Sequence, residues 1–177
     1  MKPILIFFYG DANIGKTSVL KKLGEWFRHR CIEYIELRDK SNSSDVKLAI
    51  KTDEESCRVG IGTGGDTPEI VIENLEFFLN SNYFKQEEFT VFITASRYAH
   101  TDKAYQKNSK MKKLLSQFSC VDVPRNFARK SRTWRNGAVR LVREDDLFVY
   151  LKTVVEMKKP LSFSFEMEDK KGSVKRD

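Results

Sequence analysis

Cysteine is scarce in this 177-residue chain: Cys31, Cys57 and Cys120 are the three present, with no Cys-x-x-Cys pair and two histidines, His29 and His100, to join them. An odd, widely spaced set excludes a disulfide-stapled miniprotein, argues against a structural zinc site and suits a reducing compartment. Four prolines and nine glycines are too few for a collagen-like repeat. Long apolar runs are also missing. The longest, Ile4 to Phe8, is far too short to span a bilayer, and it leads into a glycine loop and a charged helix rather than a small-residue cleavage site. The expectation is a soluble, cytoplasmic protein with no signal peptide and no membrane partner.

What is present is a core. Hydrophobic residues make up 40%, aromatics 12% and charged residues 32%, a composition that excludes a disordered chain. The length fits one domain of roughly 100–200 residues, expected over 1–165. The tail 166–177 has no apolar periodicity and is expected to be disordered.

The net charge of +7 is concentrated. From Arg97 to Arg143 there are thirteen Lys or Arg against two acids, Asp102 and Asp122, so the remainder of the chain carries an acidic excess. Such asymmetry suits a polyanionic partner or a phosphorylated substrate, and equally a solvated lysine-rich face followed by a loop.

Periodicity divides the chain into alternating elements. Residues 3–9, Pro-Ile-Leu-Ile-Phe-Phe-Tyr, read as a buried strand. Val19, Leu20, Leu23, Trp26 and Phe27 form one stripe of a helix from Lys16 to about Arg30. Cys31–Leu37 is a strand, and a hairpin follows, with Val46, Leu48 and Ile50 alternating on its first strand and Arg58–Gly62 as its second. Thr67-Pro68-Glu69 opens a helix running to about Asn80, because threonine caps, proline suits the first helical position and an acid complements the positive end. Phe89–Thr94 is a second buried strand, Lys103–Phe118 a basic helix, Cys120–Val123 a short strand, and Glu144 or Asp145 caps a last helix through Lys158, with Leu147, Val149 to Leu151, Val154 and Val155 facing in. The stretch 125–138 has no assignable element. Strands alternating with helices predict a three-layer α/β fold, with a mainly parallel central sheet and helices on both faces.

One motif carries chemistry. Gly10-Asp11-Ala12-Asn13-Ile14-Gly15-Lys16-Thr17, followed by Ser18, satisfies GxxxxGK[ST] without mismatch, directly after an apolar strand and directly before an amphipathic helix. Glycines let such a backbone curl until its N–H groups converge on phosphate oxygens, and the helix N-terminus adds a positive dipole end. Lys16 then reaches the β- and γ-phosphates and Thr17 holds Mg²⁺ through its hydroxyl. On these residues the chain resembles the P-loop NTPase superfamily, which implies nucleotide binding with magnesium over Gly10–Ser18.

Such a site needs a carboxylate at the end of a neighbouring strand. Asp66 in Gly62-Thr63-Gly64-Gly65-Asp66 is the first candidate, for both metal and catalysis, with Asp39 and Asp11 as alternatives. The hairpin and its Thr-x-Gly segment are similar to the switch region of small GTPases, but Gly62 stands where those proteins place a magnesium-linked Asp, and their guanine-selecting Asn-Lys-x-Asp is missing. ATP is therefore the expected nucleotide, ahead of GTP.

The basic segment 97–143 resembles the lid of small P-loop kinases in position and composition. Arg97 lies just past a strand, on the edge where open α/β sheets bind ligands. Arg125, Arg129, Arg132 and Arg135 follow at loop-like spacing, and a planar guanidinium holds two phosphate oxygens at once. Trp134, near Phe127, is either a base-stacking residue or a core-facing aromatic. The candidate catalytic set is thus Lys16, Asp66, Arg97 and Arg132. The expected function is a small ATP- and magnesium-dependent phosphotransferase acting on a nucleotide, nucleoside, other anionic metabolite or nucleic-acid end. The alternative is an NTPase switch controlling a macromolecular partner.

Overall fold

The six residues Ile4–Tyr9 form strand β1, and its first five are buried. Ile4, Ile6 and Phe8 pack on one face of the sheet with Val19, Leu20, Leu23 and Phe27 of helix α1 (Lys16–Arg28) and with Leu147, Leu151 and Val154 of α5 (Glu144–Met157). Leu5 and Phe7 project to the other face, among residues of α2 (Pro68–Asn80), α3 (Lys103–Gln106) and α4 (Ser109–Leu115). A strand apolar on both sides must be covered on both, and the three layers follow. The computed structural model describes residues 2–38, 45–52, 57–84, 89–128 and 139–163. The expected disordered tail 166–177 lies outside them.

The central sheet has six strands in the order β2-β3-β4-β5-β1-β6. Here β2 is Cys31–Arg38, β3 Val46–Thr52, β4 Arg58–Gly62, β5 Thr90–Ser96 and β6 Ser119–Pro124. Strands β4, β5, β1 and β6 run parallel, whereas β2 pairs antiparallel with β3 and β3 with β4. The sheet is therefore mixed, and its antiparallel part is the predicted hairpin, β3 with β4, plus β2 on the outer edge. That edge is only half covered, and Ile32 is exposed.

Local differences from the sequence reading have local causes. The basic helix expected over 103–118 is two short helices, because Asp102 accepts a cap bond from Ala104 N at 2.8 Å and Asn108 a second from Met111 N at 3.0 Å. A side-chain cap within a helical pattern starts a new helix. Met111, Leu114, Leu115 and Phe118 are nevertheless buried as their spacing requires. On α5, Val149 faces solvent while Leu147, Leu151, Val154 and Val155 face in. The unassigned stretch 125–138 includes a short strand, β7 (Asn126–Ala128), which pairs antiparallel with β8 (Val139–Leu141) just past its end.

The topology marks one place for a ligand. After β1 the chain passes to α1 on one face, and after β5 to α3 and α4 on the other. Adjacent parallel strands whose connections part in this way leave a crevice at their carboxyl ends. Gly10, Arg97 and the Gly62–Asp66 segment flank it.

Candidate functional site

The loop that leaves β1 closes tightly onto its neighbour strand: Gly10 N donates to Ser96 O of β5 at 3.1 Å. It ends at Gly15, the N-cap of α1, in the left-handed region with φ 84°. A side chain there is strained, so glycine meets a backbone need. Gly15 brings no side-chain cap, and the first turn of α1 has no acidic residue. The first amides of any helix lack intrahelical acceptors. Left uncapped and without a carboxylate, this helix start suits an external anion.

Lys16 is 6% exposed, and its Nζ donates to the carbonyl oxygens of Gly10 at 2.8 Å and Asp11 at 2.6 Å. The side chain thus arches back across the loop from the first turn of the helix. Burial lowers its pKa, the Asp66 charge acts against that shift, Arg97 adds to it and Asp11 opposes it. These four residues therefore share one electrostatic neighbourhood. Asp66, Arg97 and Asp11 are exposed, so their charges lie at the mouth and the lysine lies within.

The segment after β4 forms the opposite wall. Thr63 N donates to Val46 O at 3.0 Å, and Val46 N donates to Thr63 Oγ1 at 2.8 Å, which prolongs the β3–β4 ladder by one residue. Buried Asn74 of α2 donates through Nδ2 to Gly64 O at 2.8 Å and to Thr94 Oγ1 at 3.2 Å. Gly65 lies so close to β5 that a Cβ would overlap the Ala95 carbonyl. Thr17 Oγ1 donates to Thr63 O at 3.0 Å and ties this wall to α1. The Thr17 hydroxyl and the Asp66 carboxylate are hard oxygen donors of the class that fits magnesium. Among the described residues no group of three or more His, Cys, Asp or Glu is placed to hold a metal by itself.

Of the sequence candidates, the structure brings together the Gly10–Ser18 loop, Lys16, Thr17, Asp66, Arg97 and Asp11. Arg132, Arg129, Arg135, Trp134 and Asp39 lie outside the described residues. Arg125, expected among the lid arginines, is instead 9% exposed and bonded through Nε to Ile14 O at 3.2 Å. Asn74 escaped the sequence reading, and Thr63 entered it only as part of the Thr-x-Gly segment, with no role of its own. Their only signal is a polar residue beside a glycine run and one on the inner face of a helix. A second ionisable group was also missed: His100 donates its backbone N–H to Asp122 Oδ1 at 2.8 Å, and its Nδ1 lies 2.9 Å from Oδ2. It sits 6.0 Å from the Phe7 ring, on the α3 face of the sheet.

No protein-family model matches the chain, nor does any curated protein or solved structure. Among the described residues no helix is long and apolar enough to cross a membrane.

Proposed function

We propose that this chain is a magnesium-dependent ATP-binding protein, and specifically a small phosphotransferase. Its acceptor is a nucleotide, a nucleoside, another anionic metabolite or a nucleic-acid end. The observation that carries the reading is the buried Lys16 ammonium, held across the Gly10–Gly15 loop at the start of a helix with no side-chain cap. A desolvated cation is costly unless something of opposite charge joins it. A phosphate chain supplies that charge and takes up the amides of Gly15, Lys16, Thr17 and Ser18.

In this reading Lys16 exchanges a carbonyl for a phosphate oxygen and follows charge developing on the transferred group. Magnesium, when bound, neutralises β- and γ-phosphate charge. Thr17 would hold it through its hydroxyl oxygen, with Asp66 at the mouth as the accompanying carboxylate. Arg97 faces the end of the phosphate chain and orients an anionic acceptor. ATP rather than GTP follows from the missing guanine-selecting motif.

The tethering of the β4 wall favours transfer over a switch. A switch releases such a segment on hydrolysis, whereas Thr63, Gly64 and Gly65 are tied to β3, α2, α1 and β5. The test is incubation with γ-labelled ATP and magnesium against nucleosides, nucleotides and 5′-hydroxyl oligonucleotides. Label transferred to one acceptor class, with little hydrolysis in its absence, is the expected result. Slow hydrolysis alone, accelerated by a protein partner, would replace the phosphotransferase with the switch.

A further inference from the structure

We infer that Arg125 is the positioning residue of the phosphate loop, an inference that rests on the phosphate-binding reading of Gly10–Gly15. Arg125 follows β6 directly. Its backbone N–H donates to Tyr9 O, the last residue of β1, at 2.7 Å, and its carbonyl accepts from Val142 N at 2.9 Å. The guanidinium then works in two directions. Nε donates to Ile14 O at 3.2 Å, and Nη1 donates to Val142 O, just ahead of α5. One side chain thereby ties the loop to the end of β6 and to the approach to α5.

The consequence for the loop follows from the peptide plane. A trans peptide points its C=O and the next N–H in opposite directions. With the Ile14 carbonyl drawn onto Arg125, the Gly15 N–H is turned away from Arg125. That amide is the first of those at the start of α1. Arg125 therefore sets the direction of a phosphate donor to which it makes no hydrogen bond itself. Space is set as well. Nη2 lies 3.7 Å from where a Gly15 Cβ would stand, and Arg125 Cβ lies 3.5 Å from where a Gly10 Cβ would stand.

The residue type is chosen for the task. Burial lowers the guanidinium's pKa, and the Glu144 carboxylate opposes that shift from a distance, its own ion pair being with Lys22 at 3.4 Å. A buried cation bonded to carbonyls is an expensive strut. The planar fork reaches Ile14 O and Val142 O from two different nitrogens at a fixed angle, whereas a lysine directs its three donors from one nitrogen on a flexible stem. The site also gains a fixed positive charge beside the loop.

The experiment is calorimetric titration of the full chain with Mg·ATP and, separately, with inorganic triphosphate and magnesium, for wild type, Arg125→Gln and Arg125→Lys. Thermal midpoints control for folding. The expected result is a loss of about tenfold in affinity for both probes by the same factor in Arg125→Gln, and partial recovery in Arg125→Lys. Millimolar guanidinium should restore affinity in Arg125→Ala. A folded Arg125→Gln protein with wild-type affinity overturns the inference, as does a loss confined to ATP, which would place the effect at the base. Should Arg125→Gln not fold, Arg125→Lys carries the test, and unchanged affinity there is decisive against it. A wild-type protein that binds neither probe overturns the phosphate-binding reading itself, a result distinct from all of these.

Discussion

The hydroxyl of Thr17, in the first turn of α1, donates its hydrogen to the carbonyl of Thr63, one residue past β4, across 3.0 Å. A hydroxyl has one hydrogen and two lone pairs. With the hydrogen committed to Thr63, the oxygen keeps its lone pairs for a cation. Thr17→Ser should keep Mg·ATP affinity within about threefold, while Thr17→Val should lose about tenfold or more, roughly 1.4 kcal/mol. Titrations with and without magnesium check this: the valine variant should show little difference between them.

Lys16 is expected to behave as a residue kept for function at some cost to the fold. Lys16→Met removes a buried cation while preserving volume, so it should fold with a thermal midpoint at or above wild type and fail to bind Mg·ATP. The pH dependence has a definite sign. The folded-state pKa lies below the ordinary 10.5, so between the two values the unfolded chain holds the proton that the folded chain has lost. Stability contributed through Lys16 therefore rises with pH across that window, and is absent below it. Comparing wild-type and Lys16→Met denaturation from pH 8 to 10.5 measures it. A parallel pair of curves would contradict the burial argument.

Gly65 and Gly24 separate a backbone clash from a movable one. A Cβ on Gly65 meets the Ala95 carbonyl and the Ser96 amide, neither of which can move without breaking β5. Gly65→Ala should cost about 2–3 kcal/mol and weaken nucleotide binding with it. On Gly24 the new methyl meets the end of the Leu48 side chain, and the helix gains roughly 1 kcal/mol in propensity, so Gly24→Ala should be close to neutral. Urea denaturation of the two variants checks the contrast.

The division between what the residues announce and what they conceal is physical. Strand and helix positions follow from side-chain spacing, and β1, α1, α2 and β5 stand within a residue or two of where their apolar pattern places them. The loop's location at a strand–helix junction was equally legible, because glycines, lysine and threonine at fixed spacing report a local backbone shape. Contacts across the sheet leave no such trace. Arg125 looked like one of four loop arginines, and only the pairing of β6 beside β1 shows that it reaches Ile14. Thr63 and Asn74 are likewise defined by partners 17 and 10 residues away. The break between α3 and α4 was in principle readable, since Asn108 is a capping residue, but the lysine-rich periodicity on either side masks it.

Tyr105 makes the alkaline limb of stability measurable. Burial raises its pKa from 10.0 to about 12, with its hydrogen bond to Ser96 acting in the opposite direction and Tyr98 and Asp102 adding to the rise. Between those values the unfolded chain loses a proton that the folded chain keeps, so stability falls as pH rises from 10 toward 12. Full loss amounts to about 3 kcal/mol. Tyr105→Phe should flatten the fall without abolishing it, because Tyr34 is also raised to about 12. Denaturation midpoints at pH 9, 10 and 11 read the difference.

The most direct measurement is a crystal structure of the chain with a non-hydrolysable ATP analogue and magnesium. The expected map has the phosphates cupped by the amides of Gly15–Ser18, Lys16 Nζ moved onto the terminal phosphate oxygens, the metal on Thr17 and the acceptor cavity beyond, near Arg97. A loop whose Lys16 still spans the Gly10 and Asp11 carbonyls, with the analogue elsewhere or not bound, would contradict the phosphate-gripping role from which every functional step above proceeds.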